Sequence, residues 1–90
     1  VDTASALEHS LRELSALLDS VGEASWAERS PRAADRIAAG GDPEHVRRAF
    51  GGMGSLNDLV IHTANGHAIA TDQIPPVNRR LDQLRDRIYS

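Results

Sequence analysis

The chain has no cysteine and no lysine, and its only aromatic residues are Trp26, Phe50 and Tyr89. Without thiols there is no disulfide framework and no thiolate site, a composition that suits the cytosol. With so few rings, Leu, Ile, Val and Ala must fill the interior, which favours helices. Every basic residue is arginine. GC-rich coding produces that bias by itself, so it names no partner, although arginine is the better fork for carboxylates and phosphates. No run approaches the ~20 apolar residues of a membrane span, and no basic-then-apolar leader opens the sequence. The expectation is a soluble cytoplasmic protein with no membrane contact.

Ninety residues make a single small domain, 1–90, with one core and modest stability. A first residue of valine rather than methionine leaves the domain context open. The formal charge of −3 is unevenly spread. Up to Glu28 six acids oppose Arg12 alone, whereas from Arg29 to Arg48 five arginines oppose three acids. The acidic end suits a basic partner.

Leu7, Leu11, Leu14, Leu18 and Val21 recur at helical spacing and predict a first helix over roughly Thr3 to Val21, ended by Gly22. Its other face pairs Glu8 with Arg12 and His9 with Glu13. A second helical stretch, Glu23 to Ala39, sets Trp26, Ser30, Ala33 or Ala34, and Ile37 on one side. Pro31 interrupts it, and a break or kink at Ser30-Pro31 is expected because an interior proline costs about 3 kcal/mol. Arg29, Arg32 and Arg36 form a basic strip, most simply a solvated face. Gly40-Gly41 ends the stretch, and Asp42-Pro43-Glu44 caps a short third helix with Val46, Ala49 and Phe50 inward.

The middle of the chain departs from this pattern. Gly51, Gly52 and Gly54 surround Met53, and three glycines in four positions predict a main chain bent or closely approached. Ser55-Leu56-Asn57-Asp58 has the form of a capping box, with Leu56, Leu59 and Val60 on one side of a brief turn. Val60–Thr63 and His67–Ala70 then read as two short strands joined by a two-residue turn at Asn65-Gly66, which puts His62 and His67 on one face. A closing helix opens near Thr71-Asp72, carries Pro75 and Pro76 at its start, and aligns Ile74, Val77, Leu81, Leu84 and Ile88. Asp82 pairs with Arg85 on its wet side.

Candidate chemistry centres on Gly51, Gly52, Met53, Gly54, Ser55, Asn57 and Asp58. Main-chain N–H groups opening into a helix can hold an anion, but no Lys-Ser/Thr follows the last glycine and Asp58 sits one turn inside. Asn57 and Asp58 can instead bond the loop backbone and fix its shape. His62 and His67 lack a third ligand for a metal. Ser55, His62 and Asp58 make a triad on paper without the Gly-x-Ser-x-Gly elbow or room for a pocket. Negative charge and few aromatics argue against nucleic acid, with a helix-turn-helix over Arg32 to Arg48 as the form it would take.

Residues 51–59, with Val60-Ile61 and Asn65-Gly66-His67, resemble an uncharacterised family of small bacterial proteins with a Gly-Gly-Met-Gly-Ser-(Phe/Leu)-Asn-Asp signature. Trp26, Asn78, Leu81, Leu84 and Tyr89 fit the same pattern. That family has no established activity to transfer. Its size and style are those of immunity proteins, by analogy alone. The expected fold is mainly α, a small domain of four to five helices with a short β-hairpin after a glycine loop. The expected function is non-enzymatic binding of another protein, with an immunity-type inhibitor of a toxin as the example. The acidic first helix or the 51–58 loop would make the contact, with no catalytic residue, metal or cofactor. The alternative is a sensor of small ligands or anions on residues 51–55. Nothing in the pattern sets an oligomeric state.

Overall fold

A computed structural model of the chain describes residues 3–50, 56 and 59–89. In order these form α1 (Thr3–Ser20), α2 (Ala24–Ala38), α3 (Pro43–Phe50) and α4 (Ile74–Tyr89), with 3-10 turns at Thr63–Asn65 and Thr71–Gln73. α1 packs along α2 most extensively and against α4 next. Its leucine stripe is the reason. Leu7, Leu11, Leu14, Leu18 and Val21 are all buried, and they meet Trp26, Ala33, Ala34 and Ile37 of α2 and Leu81, Leu84 and Ile88 of α4 in one core. The expected apolar faces of these helices are therefore the observed ones. No helix among the described residues is long and apolar enough to cross a membrane.

The helix ends follow their sequence signals. After α1 the Glu23 N–H bonds Leu18 O and the Gly22 N–H bonds Asp19 O; after α2 the Gly41 N–H bonds Arg36 O and the Gly40 N–H bonds Ile37 O. These are two Schellman closures, each with a glycine at positive φ. Asp42 then caps α3, its carboxylate accepting from the Glu44 N–H at 3.0 Å. Pro75 and Pro76 fall in the first turn of α4, where a missing N–H leaves no helical bond unmade.

The expected break at Ser30-Pro31 is absent: α2 runs through Pro31. Proline has no N–H for the carbonyl four residues back, that of Ala27. The Ser15 hydroxyl of α1 donates to that oxygen at 2.9 Å, so the acceptor is served by the neighbouring helix. The Ser30 hydroxyl donates to Trp26 O at 2.7 Å, which lets a serine lie fully buried beside the proline.

The expected β-hairpin is also absent, for there is no strand among the described residues. The loop closes between His62 and His67, across four residues, and not across Asn65-Gly66 alone as a two-residue turn would. The Asn65 N–H bonds His62 O at 3.0 Å, the Gly66 N–H bonds Thr63 O at 3.0 Å, and the His67 N–H bonds His62 O at 3.3 Å. Gly66 has φ 85° and terminates a 3-10 turn. Asn-Gly thus supplied a left-handed residue to a longer loop, not a tight hairpin turn. The return bond of a hairpin, from the His62 N–H, goes to the His67 ring Nδ1 at 3.1 Å. The path at His62 is extended, with φ −160° and ψ 149°, as β-branched neighbours favour. Its partners, however, are not a strand: the Ala68 N–H bonds Val21 O in the turn after α1 at 2.9 Å, and Asn78 of α4 takes Ile61. Val60, expected on one side of a turn with Leu56 and Leu59, is 53% exposed whereas Leu56 is fully buried. The two histidines part as well, His62 outward and His67 into the interior.

Candidate functional site

Gly51, Gly52, Met53, Gly54, Ser55, Asn57 and Asp58 lie outside the described residues. What the structure places is their frame, and α4 supplies it. On the near side α3 is fixed by Arg47, whose Nε donates to Ile88 O at 2.8 Å while Nη1 pairs with Glu44. A cation on the last carbonyls of α4 also complements the helix dipole there. On the far side Arg85 Nη1 donates to both Leu56 O and Leu59 O at 2.9 Å, and Nη2 bonds Asp82. Leu56 itself is fully buried in the core. Both guanidiniums are largely covered, with side chains 16% and 13% exposed, so these bonds form where water competes weakly. Arg85 is therefore not on the wet side of α4, as the Asp82 pairing had suggested.

The segment after Leu59 is held by side chains in place of a sheet. Asn78 Oδ1 accepts from the Ile61 N–H at 2.9 Å, and its Nδ2 donates to Ile61 O at 2.8 Å and to Ile74 O at 2.9 Å. One amide thus pairs with one residue's main chain as a neighbouring strand would. Asn65 Nδ2 donates to Val60 O at 3.0 Å. His67 Nε2 lies 3.2 Å from Glu23 Oε1, tying the segment to the start of α2.

The histidines are engaged in this framework. His62 Nδ1 accepts from the Ala64 N–H at 3.0 Å, and His67 uses its two ring nitrogens on the His62 main chain and on Glu23. Among the described residues no three His, Cys, Asp or Glu side chains gather as a metal site would require. Of the paper triad only His62 is described, so its geometry lies outside the described residues with Ser55 and Asp58.

Charge on α1 is matched from within. Glu8 pairs with Arg12 at 3.0 Å, and Arg12 reaches Asp35 of α2 at 3.1 Å. The hydrogen bond to Glu8, then that to Asp35, raise the Arg12 pKa above its usual value. Glu13 pairs with Arg80 of α4, with Arg87 at 4.0 Å and with His9 at 2.8 Å. The acidic first helix is accordingly less of a bare surface than its composition implied. Along the basic strip Arg29 lies 4.1 Å over the Trp26 ring and Arg32 pairs with Glu28 at 2.7 Å. Where α2 meets α3, Arg36, Ala39, Gly41, His45 and Val46 line an open cleft of about 360 Å³.

Sequence reasoning missed the roles of Arg47, Arg85 and Ser15. Each serves a main-chain carbonyl far away in sequence, and nothing in local spacing marks such a partner. Asn78 was noticed only as part of a family pattern; an amide-bearing side chain within an otherwise amphipathic helix was its one signal.

Among the described residues four helices around a leucine-rich seam, with an irregular segment strapped across α4, define a small α-helical domain. The chain belongs to the family described as a domain of unknown function, DUF6966, which matches residues 19–70. That stretch runs from the end of α1 through α2, α3, the glycine segment and the strapped residues 59–70. No curated protein and no solved structure matches the chain.

Proposed function

We propose that this chain is a non-enzymatic bacterial domain that binds another protein in the cytoplasm, with residues 51–58 as its contact and an immunity-type inhibitor of a toxin as its model. The observation that carries this reading is the frame: Arg47 and Arg85 bring both flanks of the segment to the C-terminal half of α4. A contact surface set on a rigid helix loses less freedom on binding than a loose loop would. Glycine carries no side chain to screen its N–H and C=O groups, and asparagine and aspartate are residue types that offer a partner side-chain donors and acceptors. The family match includes the whole segment.

The same frame speaks against an anion sensor. The two arginines that bracket the segment already donate to carbonyl oxygens and pair with Glu44 and Asp82. Either would have to leave a largely buried carbonyl to meet a phosphate, at the cost of an unpaired acceptor.

The test is co-purification with the product of the adjacent gene, combined with protection of cells expressing that product. A double Asn57→Ala, Asp58→Ala variant should lose both while keeping the wild-type melting temperature. An unaltered complex in that variant, or a melting temperature raised by phosphate or nucleotides alone, would refute the reading. A ligand at 100 times its Kd should stabilise by about 2.7 kcal/mol, an easily seen shift.

A further inference from the structure

We propose that Asn65-Gly66 is a deamidation site whose reaction the folded loop holds in check, so that the chain records the time its 59–67 segment spends open. Glycine after asparagine leaves the following main-chain nitrogen uncrowded. The Gly66 nitrogen can then attack the Asn65 Cγ. A Gly66 N–Cγ bond forms and the Cγ–Nδ2 bond breaks. The amide nitrogen departs as ammonia with the proton that Gly66 N gives up, leaving a five-membered succinimide. Water opens that ring at either carbonyl to give aspartate or isoaspartate, and no other reactant is needed.

Three features of the loop oppose the attack. The Gly66 N–H is committed to Thr63 O at 3.0 Å. Asn65 Nδ2 donates to Val60 O at 3.0 Å, which steers the side chain toward Val60 and away from its own C-terminal neighbour. Asn65 also closes the 3-10 turn, whose helical main chain turns the next nitrogen away from Cγ. All three sit on an exposed loop with no sheet to brace it, so local opening releases them together. The product does not close again as before. Aspartate lacks the donor to Val60 O and sets a carboxylate against that carbonyl; isoaspartate adds a methylene to a turn in which the N–H groups of Asn65, Gly66 and His67 converge on His62 O and Thr63 O.

Peptide mapping by mass spectrometry during incubation in mildly alkaline buffer tests this, with and without urea. In urea Asn65 should convert faster than Asn57 and Asn78, and Gly66→Ala should slow it there, where the positive φ of the native loop no longer matters. In folded protein the rate should fall at least about tenfold, each factor of ten being 1.4 kcal/mol of opening free energy. An Asn78→Ala variant, which frees Ile61, should deamidate faster when folded and at an unchanged rate in urea. Equal rates at Asn65 in folded and unfolded wild-type protein would overturn the proposal, as would a folded Asn78→Ala variant no faster than wild type.

Discussion

The Ser15 hydroxyl donates to the Ala27 carbonyl at 2.9 Å, and Ala27 is the residue whose acceptor Pro31 leaves without a helical N–H. A serine on α1 thereby completes the backbone of α2. The pair should be energetically coupled through proline. Ser15→Ala leaves a part-buried carbonyl unpaired and should destabilise by about 1–3 kcal/mol. In a Pro31→Ala background residue 31 regains its N–H, Ala27 O has a partner without Ser15, and the same change should cost clearly less. A double-mutant cycle by urea denaturation reads the difference. Equal costs in both backgrounds would mean that Ser15 does not serve this carbonyl.

Asn78 replaces a missing strand, and its removal should show how much the 59–67 segment depends on that. Asn78→Ala strips partners from the N–H and C=O of Ile61, a residue with no exposed surface. The expected loss is about 2–4 kcal/mol, from two main-chain groups left unpaired at about 1–3 kcal/mol each with some re-entry of water. Asn78→Asp keeps the acceptor for Ile61 N–H but faces Ile61 O with a carboxylate. It should be worse near neutral pH than in acid, where a protonated carboxyl can donate. Denaturation at the two pH values checks this, and an Asn78→Asp protein equally stable in acid and at neutrality would show that Ile61 O needs no donor from residue 78.

These cases show where sequence ceased to be informative. The spacing of Leu7 to Val21, the capping of α3 by Asp42 and the glycine closures are local signals. The caps and closures are satisfied within one turn, and the leucine stripe repeats at a spacing that marks a buried face whatever covers it, so each was legible. The hairpin failed because extended propensity at Val60–Thr63 says nothing about where the N–H groups find acceptors. An amide on α4 and a ring nitrogen of His67 took the place of a second strand. The helix does not break at Pro31 for the same reason: the cost of an interior proline applies to an isolated helix, whereas the Ser15 hydroxyl comes from another. The candidate residues 51–55, 57 and 58 lie outside the described residues, and the arginines that frame them bond carbonyls too distant in sequence for local spacing to mark.

Gly41 offers a test in which sterics and backbone entropy predict opposite signs. Its φ is not in the left-handed range, so in open space alanine there would stabilise by about 0.4–1 kcal/mol through the unfolded chain. A Cβ at Gly41, however, would sit 2.7 Å from Arg36 O, the acceptor of its own N–H at 2.8 Å. That oxygen belongs to the α2 backbone and cannot swing aside. Gly41→Ala should therefore destabilise, and Gly40→Ala should cost about 1–2 kcal/mol from its φ of 92° although nothing lies near its Cβ. Thermal melts of both variants decide it. A more stable Gly41→Ala protein would show that the α2 to α3 connection relaxes freely.

Arg85 is the residue on which the frame of the glycine segment most depends, because one of its nitrogens meets two carbonyls, Leu56 O and Leu59 O. Lysine retains the charge but not the planar fork, and a single ammonium cannot hold Asp82 and both carbonyls in that geometry. Arg85→Lys should thus cost about 1–3 kcal/mol and speed hydrogen exchange at the Leu59 amide, which bonds Leu56 O at 3.2 Å. Exchange at Leu11 and Leu14, within α1, should be unaffected below the global unfolding limit. If residues 51–58 form the contact with a partner, the same variant should weaken the complex through a faster off-rate, since the flanks of the contact are no longer held before binding. An Arg85→Lys protein with a loosened Leu59 amide and undiminished partner affinity would place the contact elsewhere on the domain.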